Sequence, residues 1–124
     1  MATVLNIGVK REHVESRARV LTQAGHLVKN AFSIAELEQY LRDGDAEVLV
    51  LGHNLPAPEK RRILEYAKHA STKYRIVEVF MLVPELLAAD AHVSWDECAD
   101  TLPEAVEMAL GLRKTRSVST GQAS

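Results

Sequence analysis

Glu47-Val-Leu-Val-Leu-Gly-His-Asn-Leu-Pro-Ala-Pro58 decides the fold. Val48 to Leu51 are four consecutive apolar residues. An unbroken run of that length suits a strand covered on both faces, as in a parallel sheet. Gly52 ends the run, and Pro56 and Pro58 forbid its continuation. A charged helical segment begins at Glu59. In parallel sheets the strand-to-helix corner is where ligands and chemistry usually sit. Here that corner offers Gly52, His53 and Asn54.

Outward from this stretch, strand and helix signals alternate. Val4 to Ile7 reads as a first strand closed by Gly8, and the helix after it carries Val14, Ala18 and Leu21 on one face, with Arg17 and Arg19 set off that stripe. Gly25 suits the end of this helix. His26 to Ala31 is a second strand, and Ser33-Ile-Ala-Glu36 is a capping box opening a helix on Ile34, Leu37 and Leu41. A third helix is expected from Pro58 to Ala70, with Ile63, Leu64, Ala67 and Ala70 inward and Lys60, Arg61 and Arg62 as a basic surface with Lys68 and Lys73. Arg75 to Leu82 reads as a strand interrupted by Glu78. Pro84 to Leu87 allows one or two helical turns, Ala91 to Val93 a fifth strand, and Trp95 to Asp100 a polar loop. Thr101-Leu-Pro-Glu104 has the form of a second capping box opening the last helix. Residues 114–124 read as a disordered tail behind a domain of residues 1–113. Strands alternating with helices imply right-handed crossovers and a parallel sheet with helices on both faces. For 124 residues the expected architecture is α/β, a flavodoxin-like three-layer sandwich with five strands in the order 2-1-3-4-5.

Composition narrows the functional classes. At 47% hydrophobic residues the chain can bury a sizeable core. A net charge of −2 and 5% aromatic residues argue against nucleic acid as a partner. Cys98 stands alone, so no intramolecular disulfide forms and a reducing cytoplasm is expected. The N-terminus lacks a signal-peptide pattern, and no apolar run is long enough for a membrane.

Three stretches carry a family resemblance. Val4-Leu-Asn-Ile-Gly-Val-Lys10 followed by Leu21-Thr-Gln-Ala-Gly25, then Val48 to Pro56, then Ala88-Ala-Asp-Ala-His-Val93, resemble the response-regulator receiver domain, of the CheY-like superfamily. The likeness covers about residues 3–113. It implies a phosphoacceptor aspartate at the position of Gly52, and a Mg²⁺-holding acidic pair at the positions of Gly8 and Val9, which Lys10 follows. The switch hydroxyl would fall near Phe80 or Met81, and the receiver lysine near Trp95. A glycine, a valine and a lysine supply no carboxylate to a cation that demands hard oxygen ligands. The resemblance is therefore to a degenerate pseudo-receiver in bacterial-type signal transduction, outside the phosphorelay chemistry, with no enzymatic activity, cofactor or metal.

Individual residues have competing readings. His53 is a substitute phosphoacceptor or, with no visible acid or metal to activate it, a turn histidine. Asn54 suits a turn. His13, His26, His53, His69 and His92 lack metal-ligand spacing. Lys10 either replaces the metal's charge or is an exposed lysine. Asp43, Asp45 and Glu47 precede the third strand, at the wrong end for a site. Phe80 and Trp95 either fill the crevice or form a partner patch. Two functions follow. The first is a non-catalytic module binding a protein partner or itself, as a homodimer, through strand four, strand five and the last helix, with Phe80, Trp95 and His92 on that surface. The alternative is a small-molecule or anion sensor in the strand-end crevice, where Gly8 and Gly52 bare the backbone and Lys10 supplies charge.

Overall fold

The computed structural model describes residues 2–44, 46–70 and 74–111. The elements run β1 (Thr3–Ile7), α1 (Arg11–Gln23), β2 (Leu27–Ala31), α2 (Ile34–Asp43), β3 (Val48–Leu51), α3 (Ala57–His69), β4 (Arg75–Phe80), β5 (Ala91–Ser94), a 3₁₀ turn (Trp95–Glu97) and α4 (Cys98–Ala109). All five strands are parallel, in the order β2-β1-β3-β4-β5. The expected flavodoxin-like α/β architecture is the observed one. The expected tail, residues 114–124, lies outside the described residues.

The apolar run at the centre works because every member is buried, with alternate residues facing opposite layers. Leu49 and Leu51, with Leu5, Ile7 and Ile76, pack under Leu37 and Leu41 of α2 and Ile63 and Ala67 of α3. Val48 and Val50, with Val4, Val77, Val79 and Val93, pack under Leu21 of α1 and Leu102, Val106 and Ala109 of α4. Each fully buried Val or Leu contributes roughly 1.5–3 kcal/mol.

Local signals fix the helix ends. Ser33 Oγ accepts from Glu36 N at 3.2 Å, and Glu36 Oε1 accepts from Phe32 N at 2.7 Å, so the capping box closes one residue further back than the usual form. Gly44 ends α2 at φ 73°, a left-handed position that a side chain would strain.

Three expectations are corrected. No helix forms between β4 and β5, and β4 stops at Phe80. The connection is instead held by Glu78, whose buried carboxylate accepts the N–H groups of Glu85 and Leu86 at 2.9–3.1 Å. Asp90 fastens the far end, its N–H donating to Ile76 O and its Oδ2 accepting from Ile76 N. The last helix also starts earlier than expected. Thr101 lies inside α4 and its hydroxyl donates to Glu97 O at 2.9 Å, so the second capping box does not cap.

Candidate functional site

β1 and β3 are neighbours, and Ile7 pairs with Leu51, so Gly8 and Gly52 emerge side by side at the carboxyl end of the sheet. Gly52 N donates to Ile7 O at 2.8 Å, which holds the two corners together. The space that side chains at these positions would enter is filled. A Cβ on Gly52 would lie 2.6 Å from Arg17 Nη2, and a Cβ on Gly8 would lie 2.7 Å from the same atom.

Arg17 comes from the middle of α1. Helical side chains lean toward the N-terminus, and the N-terminal end of α1 follows directly from β1, so the guanidinium reaches back over the strand ends. Its Nε donates to Asn6 Oδ1 at 3.0 Å and its Nη2 to Ile7 O at 3.3 Å. Asn6 is itself fully buried, with Nδ2 donating to Val14 O and Asn30 Oδ1. Arg17 is 4% exposed. Burial lowers its pKa to about 10, still far above neutrality. The Cys98 thiol is close enough to act on Arg17, but burial pushes that thiol up to about 11, so it is uncharged at pH 7. Among the described residues no carboxylate forms a salt bridge with Arg17. The corner therefore holds an isolated, buried positive charge.

Beside it lies a cleft of about 300 Å³ lined by Arg17, His13, Ser16, His53, Trp95 and Asp96, with Cys98 and Ala99 also in its wall. Trp95 stacks on His53 at 5.2 Å between centroids and 23° between planes. His13 meets His53 edge-on at 4.8 Å. The His53 pKa falls to about 4, through burial first, then through His13, Arg17, Lys60 and Lys10. Its imidazole is neutral at pH 7, and its Nδ1 is buried with no hydrogen-bond partner.

The expected site residues separate into those that meet and those that do not. Gly8, Gly52 and His53 share the corner with Arg17. Val9 and Lys10 are exposed; Lys10 is the N-cap of α1 and Arg17 holds the crevice in its place. Trp95 is 43% exposed and stacks on His53, whereas Phe80 is half-buried and pairs across the sheet with Ser94. His92 Nε2 lies 2.7 Å from Leu86 O and so ties the β4–β5 connection to β5. Glu47 Oε2 accepts from Thr3 N at the far end of the sheet, away from the crevice.

The basic surface expected on α3 loses its first member. Lys60 is 1% exposed. Its Nζ donates to Glu78 Oε2 at 3.0 Å, to Val79 O at 3.2 Å and to Glu85 Oε1 at 3.1 Å. Burial alone would raise the Glu78 pKa, but the N–H groups of Leu86 and Glu85 and the Lys60 ammonium together hold it below the ordinary value. Arg17 and Lys60 both escaped the sequence reading. The missed signal for Arg17 was its spacing, three after Val14 and four before Leu21, both buried. For Lys60 it was position three before Ile63 and seven before Ala67, on the buried stripe of α3.

A receiver fold implies Mg²⁺ at this corner, and the residues here do not fit one. The positions around it supply Gly8, Gly52 and an arginine whose fixed positive charge occupies the volume a hydrated cation and its carboxylates would need.

No family model and no curated protein matches the chain. Solved structures do. The N-terminal domain of a response regulator/sensory box/GGDEF three-domain protein from Carboxydothermus hydrogenoformans is 16% identical, over 94% of this chain and 99% of that one, with a TM-score of 0.70. The signal receiver domain of a LuxO repressor protein from Vibrio parahaemolyticus is 12% identical, over 97% and 98%, with a TM-score of 0.76. The response regulator TrrA from Thermotoga maritima, solved with Mg²⁺–BeF, is 19% identical, over 88% and 99%, with a TM-score of 0.64. The chain has the fold of response-regulator receiver domains.

Proposed function

We propose that the chain is a non-catalytic receiver-like module, acting in cytoplasmic signal transduction through protein contact and not through phosphoryl transfer. One observation carries this reading: Arg17 Nη2 sits within 2.7 Å of both Cβ positions from which the carboxylates of a phosphorylation corner would project. The positive charge that a receiver borrows from a metal is here part of the chain. No side chain at Gly52 can accept a phosphoryl group, and His53 lacks an acid or metal to activate it.

The contact surface in this reading is the β4–β5–α4 face carrying Phe80, His92 and Trp95. Its support is the helix-less connection, whose Met81, Leu82, Val83 and Leu87 are large apolar residues, Leu82 86% and Leu87 90% exposed. Contiguous exposed apolar residues of this kind mark protein contacts. The occupant is a protein partner in signalling, a second copy of this chain included.

The test is intact-mass measurement after incubation with acetyl phosphate and Mg²⁺. The expected result is an unchanged mass. A stoichiometric phosphate adduct removed by hydroxylamine would refute the proposal, because it would place an acyl phosphate on a carboxylate of this chain.

A further inference from the structure

The Arg17 guanidinium carries five N–H donors. Two are engaged, one by Asn6 Oδ1 and one by Ile7 O. Among the described residues the remaining three have no acceptor, and Arg17, 4% exposed, forms a wall of the 300 Å³ cleft. Burying a cation without a counter-charge is costly, and the two neutral acceptors on Asn6 and Ile7 offset only part of that cost. What would complete the arrangement is an anion with oxygen acceptors, entering from the cleft. The planar fork of arginine matches a carboxylate or phosphate in two-point contact.

The rest of the cleft selects among anions. Trp95 has one face on His53 and remains 43% exposed, so its other side offers an apolar platform at the mouth. The neutral imidazole of His53 adds no competing charge, and its unpartnered Nδ1 leaves one more polar atom unsatisfied at the same place. Asp96 brings a negative charge to the rim, where its Oδ1 accepts from Ser94 Oγ at 2.6 Å. That charge disfavours polyanions. The volume sits at the lower end of the range for small-molecule sites.

We propose that this cleft binds a small organic anion, its single carboxylate or phosphate group on Arg17 and its planar ring against Trp95. The inference goes beyond the interaction module and does not rest on it: a failure to bind leaves the acetyl phosphate result unchanged.

Trp95 is the one tryptophan of the chain, so intrinsic fluorescence reports from the cleft itself. The full chain is titrated with benzoate, with phenyl phosphate and with neutral benzamide at constant ionic strength. The expected result is a saturable change in Trp95 emission with benzoate or phenyl phosphate, whichever head group fits, and binding at least tenfold weaker for benzamide. Arg17→Met should weaken the anion by the same factor. The absence of a saturable response to both anions would overturn the proposal, as would equal affinity for benzoate and benzamide. The benzamide comparison decides the matter even if Arg17→Met does not fold.

Discussion

Gly52→Ala probes the corner directly. Gly52 does not adopt positive φ, so an added methyl meets neighbouring atoms and not backbone strain. That methyl would lie 2.6 Å from Arg17 Nη2, 3.0 Å from Ile7 O and 3.1 Å from Arg17 Cζ. The guanidinium must retreat by at least about 0.8 Å to reach ordinary contact at 3.4 Å, and its 3.3 Å bond to Ile7 O is then lost. Overpacking of this kind costs about 1–3 kcal/mol, of which the broken hydrogen bond is about 1 kcal/mol. In an Arg17→Met background the thioether has no bond to keep and can move aside. Only the Ile7 O contact then remains tight. Urea unfolding of the four proteins of this cycle, followed by far-UV circular dichroism, should give a coupling of about 1 kcal/mol, with Gly52→Ala milder in the methionine background. Additivity within about 0.3 kcal/mol would show that Arg17 is not what fills the corner, and the account of the lost phosphorylation site would fall with it.

Two further outcomes are expected. Leu82→Asp combined with Leu87→Asp should abolish any concentration-dependent association seen by sedimentation velocity without lowering the unfolding midpoint, since both side chains are almost fully exposed; a wild-type dimer that survives both changes would move the contact elsewhere. Lys60→Met leaves the Glu78 carboxylate buried without its counter-charge, held only by the N–H groups of Glu85 and Leu86, and should cost about 3 kcal/mol at pH 7; because the folded Glu78 pKa is depressed, its contribution is present above the ordinary glutamate value and is lost as pH falls through the folded value, so the wild-type advantage over Lys60→Met should shrink on acidification.

Much of the fold was legible in the chain because its signals are local and repeat. Val48 to Leu51 announces a strand buried on both sides, Ser33 and Glu36 announce a helix start, and the strand–helix alternation leaves few topologies. The missing carboxylates at Gly8 and Gly52 were legible for the same reason: a glycine excludes a side chain whatever surrounds it. What replaced them was not. Arg17 and Lys60 lie on buried helical stripes, but a long cationic side chain on such a stripe commonly extends past the core to water. Whether it turns inward depends on acceptors from distant segments, here Asn6 and Ile7 for one, Glu78 and Glu85 for the other. Periodicity carries no information about those encounters. The β4–β5 connection failed for a related reason. Its backbone is held by a carboxylate in the preceding strand, which no reading of Val83 to Asp90 alone reveals. The cleft joins His13, His53 and Trp95, which lie far apart in the chain, so their convergence followed only from the assembled fold.

The grip of Glu78 on the backbone of Glu85 and Leu86 has a consequence for recognition. A long irregular connection normally surrenders conformational freedom when a partner captures it, and that surrender weakens the complex. Here the middle of the connection is already pinned to the sheet from below, so Leu82 and Leu87 are offered from a braced knuckle instead of a loose strap. A partner meeting it would find the shape ready-made, and little of the attraction would be spent on taming the segment.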